Sequence, residues 1–254
     1  MKADLPKRAH ILARIAENDG SVTLYLDAKC HFTPGQFLMV WIPGVNEKPF
    51  SIAGRHFEGL MITVKRRGAF SSKLANLGVG GTLGVRGPYG QGFRLVENCC
   101  LVAGGCGFAS LAPIAELFPN APILYGENSA ADLIYRERFP RATVYTGDGS
   151  AGRKGFPTDD LASLVRERHC EMVYCCGPEP MLAKALQICH SEGISCQASV
   201  ERYMKCAQGI CGQCACGSIR VCTEGPVFDG AVLLSSPDFG KRALDASGTW
   251  KPLL

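Results

Sequence analysis

Cys206, Cys211 and Cys214 stand at C-x4-C-x2-C, and Cys222 follows after seven intervening residues. This is the plant-type spacing of a [2Fe-2S] centre, in which two irons take four thiolates. Gly209 and Gly212 lie inside the run, where backbone free of a Cβ can fold tightly enough to aim its amides at the sulfides. A structural zinc ion generally uses two short Cys/His pairs, whereas only Cys211 and Cys214 form a CxxC. No His lies within ten residues of the run, which argues against a Rieske centre. Cys216 competes with Cys222 for the fourth position. It trails Cys214 by only two residues, so both would reach different corners of one cluster with strain, and Cys222 is the expected ligand.

The segment that carries these cysteines, 197–254, is rich in Cys and Gly and poor in apolar periodicity. About sixty residues of that kind bury little surface without a metal staple. Two other patterns precede it. Short apolar stretches at 10–16, 22–26, 37–42, 60–65 and 82–86 are divided by Pro34-Gly35, Pro43-Gly44 and Gly87-Pro88. Short strands at this spacing suggest a small antiparallel barrel with no convincing helix. From 98 onward, strands at 99–103, 122–125, 142–146 and 172–176, with a fifth near 195, alternate with helical stretches near 108–118, 132–139, 159–168 and 180–190. Such alternation implies a parallel sheet covered on both faces. The expected fold class is therefore β + α/β: an N-terminal antiparallel β-barrel (1–97), a doubly wound parallel-sheet nucleotide domain (98–196) and a small C-terminal [2Fe-2S] segment (197–254).

Composition narrows the function classes. Apolar residues make up 46% and charged residues 20%, as in an ordinary folded globular protein. The net charge of +4 comes without any block of Lys or Arg, so no footprint for nucleic acid or an anionic membrane is expected. The opening MKADLPKRAH lacks the apolar core of an export signal, which predicts a cytoplasmic protein. The uncharged stretch 98–115 contains Gly104, Gly105, Gly107 and Pro113 and reads as strand, turn and helix, so no membrane span is expected. Fourteen cysteines in a reducing compartment point to metal binding over disulfides. Cys99, Cys100, Cys175 and Cys176 sit in apolar runs and are expected to pack as small core residues.

Lys48-Pro49-Phe50-Ser51, after PGQF at 34–37, resembles the flavin motif of the ferredoxin-reductase superfamily. The resemblance spans 8 to about 196 and implies that the barrel binds FAD. In that family the Ser hydroxyl lies near the reactive flavin nitrogen and the basic residue meets the pyrophosphate. Lys48 replaces the usual Arg, keeping the charge and losing the bidentate fork. Val64-Lys65 and Gly68-Ala69-Phe70-Ser71-Ser72 match the family's second flavin segment, where a short helix start approaches the pyrophosphate. Gly87-Pro88-Tyr89-Gly90 also matches and is expected to close the barrel. Gly104-Gly105-Cys106-Gly107 ends a strand and opens a helix, the place where a helix N-terminus can receive a phosphate group of the dinucleotide. Cys176-Gly177-Pro178 resembles the family's nicotinamide-side motif, with Cys176 a nicotinamide contact. The family usually has Pro where Ser110 stands. Glu127, at the end of the second strand of this domain, is placed to take ribose hydroxyls and to favour NAD over NADP.

With VERYMKCAQGICGQC and VCTEGPVF behind these modules, the chain to about Asp229 resembles the electron-transfer subunit of dihydroorotate dehydrogenase B. The resemblance implies a partner, an FMN-containing dihydroorotate dehydrogenase catalytic subunit, in a heterotetramer of two plus two. Electrons would then pass from dihydroorotate through the FMN, the cluster and FAD to NAD, in pyrimidine biosynthesis. No acid–base or nucleophilic constellation for a carbon substrate is legible in this chain. Related electron-transfer subunits of a hydrogenase or of an NAD(P)H:ferredoxin oxidoreductase share the same modules, and a zinc-stapled flavin-binding redox sensor is the alternative of another class. The tail 231–254 is expected to be a loosely ordered end.

Overall fold

The computed structural model describes residues 4–57 and 59–253; residues 1–3 and 254, at the ends of the first and last expected segments, lie outside the described residues. Six strands build the first unit: β1 (Lys7–Asn18), β2 (Ser21–Leu26), β3 (Phe37–Ile42), β4 (Asn46–His56), β5 (Gly59–Lys65) and β6 (Thr82–Tyr89). They close in the order β1-β2-β5-β4-β3-β6, antiparallel throughout, because β1 pairs with both β2 and β6. Alternate residues fill the lumen, with Leu24 opposite Ile62 and Leu26 opposite Leu60, all fully buried. Each such side chain contributes about 2 kcal/mol of hydrophobic burial. The helix that strand patterning alone does not suggest, α1 (Ala69–Ala75), is present between β5 and β6. It is amphipathic over less than two turns, and it buries Phe70, Leu74 and Ala75 against the barrel core.

The second unit is a seven-stranded sheet. Its elements are β7 (Cys99–Gly104), α2 (Phe108–Leu117), β8 (Ile123–Glu127), β9 (Thr143–Thr146), β10 (Arg153–Lys154), α3 (Leu161–Glu167), β11 (Met172–Cys176), α4 (Glu179–Ser191) and β12 (Ser195–Ser199). The order is β10-β9-β8-β7-β11-β12-β15, where β15 (Val227–Asp229) comes from the cysteine-rich segment and is the one antiparallel member. Every residue of β7 and of β11 is buried, as central parallel strands covered on both faces must be. Cys99, Cys100, Cys175 and Cys176 are accordingly core residues. The strand order reverses between β7 and β11, the switch point at which open α/β sheets receive nucleotides.

Residues 132–139 do not form the expected α-helix; a single 3-10 turn at Ala130–Asp132 is followed by irregular chain. Side chains claim the amides a helix would use. Ile134 N donates to the Tyr125 hydroxyl at 3.1 Å and Tyr135 N to Glu17 Oε2 at 2.8 Å, while Tyr135 adopts φ +60°. The detour docks the sheet on the barrel. Tyr135 meets Thr63 hydroxyl to hydroxyl, and Arg138 Nη2 reaches the carbonyl of Ala53 at 2.8 Å.

The remaining elements are β13 (Ala215–Cys216), β14 (Ile219–Arg220), α5 (Val221–Glu224), α6 (Gly230–Leu234), β16 (Arg242–Leu244) and β17 (Trp250–Pro252). The tail is thus structured where a loose end is expected. Asp238 accounts for much of this, accepting from Gly217 N at 2.9 Å and from Arg242 Nε at 2.6 Å, and so pinning the tail to the turn between β13 and β14. Among the described residues, no helix is long and apolar enough to cross a membrane, and 98–115 becomes β7, a turn and most of α2.

Candidate functional site

The four cysteines of the spacing motif form two pairs, and among the described residues no three Cys, His, Asp or Glu side chains stand close enough together to hold a metal ion. The thiol of Cys206 neighbours that of Cys211, and the thiol of Cys214 that of Cys222. Backbone amides surround the sulfurs: Gln208 N donates to Cys206 Sγ at 3.4 Å, Gly209 N to Cys222 Sγ at 3.3 Å and Cys222 N to Cys214 Sγ at 3.4 Å. Gly209 has φ +72°, a left-handed conformation that lets the loop turn its amide inward. Burial raises the Cys206 thiol pKa, but the amides of Cys211, Gln208 and Ile210 with the Cys211 thiol outweigh it and bring it down to about 6. Cys222 goes the other way, to about 12, through burial and the adjacent Cys214. Two thiol pairs lined with N–H donors match the chemistry of a two-iron centre, whose metals hold the thiolates deprotonated. Cys216 faces elsewhere. Its Sγ lies 3.1 Å from Arg202 Nη2 and 3.5 Å from Ser236 Oγ.

Beside this loop, a cleft of about 730 Å³ opens between the barrel and the parallel sheet. β4 supplies Lys48, Pro49, Phe50 and Ser51, and the β5–α1 corner supplies Lys65, Gly68, Phe70 and Ser71. Cys106 and Cys176 close it from the sheet side. Val64 is buried in the barrel wall and Ser72 lies within α1. The Ser71 hydroxyl accepts from the amides of Arg67 and Gly68 at 2.9 and 3.2 Å, so it caps the helix start. Lys65 links the barrel to the sheet: its Nζ lies 3.6 Å from Glu127 Oε2 and 3.9 Å from Asp132 Oδ1. Glu127 is therefore a buried partner of Lys65, with the Tyr125 hydroxyl at 3.2 Å. Burial raises its pKa, and the Lys65 charge opposes that rise.

The glycines after β7 have a steric reason. A Cβ on Gly107 would lie 2.5 Å from the carbonyl carbon and oxygen of Cys176, so the two strand ends approach more closely than any side chain allows. Gly104 and Gly105 precede it in the same turn, and Gly177 and Pro178 follow Cys176 on the other side of the switch point. Burial and the neighbouring Glu201 carboxylate push the Cys176 thiol up to about 12, which favours the protonated thiol at neutral pH.

Sequence reasoning passed over Glu201, Arg202 and Tyr203, which line the cleft just after β12 and lead into Cys206. The available signal was their position, three polar side chains between the fifth strand of the sheet domain and the first ligand-spaced cysteine. Arg202 is fully buried, paired with Glu179 at the start of α4. Arg86 was missed too. It grips Glu47 through two bonds at 2.6 and 2.7 Å and donates to the carbonyl of Cys206 at 3.2 Å. Tyr89, expected only to close the barrel, joins that cluster, accepting from Arg86 Nη1 at 3.1 Å.

A closed barrel, a parallel sheet with its switch point facing the barrel, and a cleft between them define a protein of the ferredoxin-reductase class. A solved chain from the NADH-dependent reduced ferredoxin-NADP oxidoreductase superposes with a TM-score of 0.78 and 25% identity, over 91% of this chain and 90% of that one. The ferredoxin reductase of carbazole 1,9a-dioxygenase shares the fold at a TM-score of 0.62 and 24% identity, over 74% of this chain and 65% of that one. Residues 201–234 match the family model described as the iron-sulfur cluster binding domain of dihydroorotate dehydrogenase B. The probable electron transfer subunit of dihydroorotate dehydrogenase B (NAD(+)) from Pyrococcus horikoshii is 48% identical over 85% of this chain and 86% of its own length. Its counterpart from Methanocaldococcus jannaschii is 38% identical over 92% and 93%. The chain belongs to the family of dihydroorotate dehydrogenase B electron transfer subunits.

Proposed function

We propose that this chain is the electron-transfer subunit through which a dihydroorotate-oxidising catalytic subunit reduces NAD, with Cys206, Cys211, Cys214 and Cys222 holding a [2Fe-2S] cluster. The observation that carries the reading is one of position. Two amide-lined thiol pairs begin three residues after Tyr203, a wall of the cleft to which the flavin motif also contributes. When bound, the cluster moves single electrons and FAD combines them into the hydride that NAD accepts. The chain's own residues do the rest. Ser51 and Phe50 orient the flavin from the barrel side, Gly68, Phe70 and Ser71 border it at the start of α1, and Val64, Lys65 and Ser72 support that corner. Gly104, Gly105 and Gly107 with Gly177 and Pro178 leave backbone room for the dinucleotide, and the protonated Cys176 borders the nicotinamide. Glu127, at the end of β8 and tied to Lys65, is the carboxylate that would favour NAD over NADP.

The partner is an FMN-containing catalytic subunit in a two-plus-two heterotetramer in the cytoplasm, and the chain divides into modules at 1–97, 98–196 and 197–254. The test is reconstitution: the purified chain, assayed for iron, acid-labile sulfide and FAD, is mixed with the catalytic subunit, dihydroorotate and NAD. NADH formation with two irons and one FAD per chain supports the reading. Zinc in place of iron and sulfide, or no NADH from a fully loaded pair, refutes it.

A further inference from the structure

Lys48 lines the cleft and reaches a residue far along the chain. Its Nζ donates to the Tyr203 hydroxyl at 2.5 Å and lies 4.0 Å from the centre of the Tyr203 ring. The interaction joins two parts of the chain 155 residues apart, the flavin motif on β4 and the segment that leads into Cys206. An ammonium on an aromatic face and hydroxyl is an electrostatic tether, and a Lys so engaged has one compact charge and no second fork to offer elsewhere. The same segment is fixed on either side. Arg202 is locked in its buried pair with Glu179, and the carbonyl of Cys206 is held by Arg86. Tyr203 is the residue of this stretch whose ring borders the cleft that Ser51 and Phe50 also line, so its placement bears on how the cleft and the cysteine loop face each other.

We infer that Lys48 is the clamp of the bridge between the flavin cleft and the cluster loop, a positioning residue acting through Tyr203, and not a ligand of the flavin pyrophosphate. The inference rests on the FAD and cluster sites proposed above. It assigns the loss of the Arg fork at this position a reason: a point charge suits a tyrosine ring and hydroxyl, while a bidentate fork suits phosphate.

The full chain loaded with FAD and cluster is compared as wild type, Lys48→Met, Lys48→Arg, Tyr203→Phe and the Lys48→Met/Tyr203→Phe double variant. Two quantities are read: the FAD dissociation constant, and the rate at which the reduced-cluster EPR signal appears after NADH is mixed in, per bound flavin. Lys48→Met should change FAD affinity by less than about threefold while slowing cluster reduction by about tenfold or more, since small misplacements of reacting groups carry penalties of that order. Tyr203→Phe should slow it in the same direction, the double variant should be no slower than Lys48→Met, and Lys48→Arg should recover part of the rate. A larger loss of FAD affinity in Lys48→Met, or a cluster-reduction rate per bound flavin within tenfold of wild type, overturns the inference. Wild-type protein that holds no FAD or no cluster would instead refute the proposed function, before any variant is compared.

Discussion

Replacing Arg202 by Leu should destabilise the chain by about 3–5 kcal/mol, the range for removing one partner of a buried ion pair. The Arg202 side chain has 0% exposure and that of Glu179 7%, so neither charge has solvent to fall back on. After the substitution, Glu179 keeps the amide of Gly240, which donates to Oε2 at 2.6 Å, but Oε1 loses its cation. The carbonyl of Glu201 and the thiol of Cys216 lose donors that stood at 2.8 and 3.1 Å. A Leu side chain fills space without satisfying any of these groups. Removing both charges, as Arg202→Leu with Glu179→Met, should return the protein to within about 2 kcal/mol of wild type, because the desolvation penalty disappears with the charges. Urea unfolding of the cluster-loaded chain, followed by fluorescence and iron release together, measures both variants. A single variant within about 1 kcal/mol of wild type, or a double variant less stable than the single, would refute the reasoning.

Three further outcomes are expected. Cys222→Ser should lose most of its iron and sulfide, whereas Cys216→Ser, altering a thiol that contacts Arg202 and Ser236, should keep two irons per chain; the reverse pattern would make Cys216 the fourth ligand. Gly107→Ala should cost about 1–3 kcal/mol through overpacking, because its Cβ would stand 2.5 Å from the Cys176 backbone, and NADH should no longer reduce the flavin; unchanged stability and hydride transfer would remove the steric argument. The Arg242 guanidinium, with the Gly217 amide, holds the Asp238 carboxyl below its ordinary value. A carboxyl depressed in the folded state contributes stability that is present above its unfolded value and lost as pH falls through the folded one. Stability should therefore decline below about pH 4 partly through this group, and Asp238→Asn should flatten that limb in acid titrations.

Local rules carried much of the architecture. The barrel strands announce themselves because alternate residues must face a closed lumen, and β7 and β11 because central parallel strands are apolar on both faces. The cysteine spacing needed no fold at all, since four ligands within seventeen residues of chain can reach one another through the loop alone. Where side chains from elsewhere intervened, local reading failed. The stretch 132–139 has the composition of a helix, yet Glu17 and Tyr125 take its amides. The tail has little periodicity, yet Asp238 fastens it. α1 is too short to show a helical pattern and exists because the barrel accepts Phe70 and Leu74.

The sequence by itself determined which atoms are available: four thiols at ligand spacing, the small residues at the ends of β7 and β11, and the Lys-Pro-Phe-Ser run. Only the tertiary structure decided what each of them faces. It turned Cys216 toward Arg202, set Glu127 against Lys65, and brought Lys48 onto Tyr203 across 155 residues of chain. Ligand spacing is a property of neighbours along the chain, but the direction of a charge depends on which distant groups are close enough to compete for it.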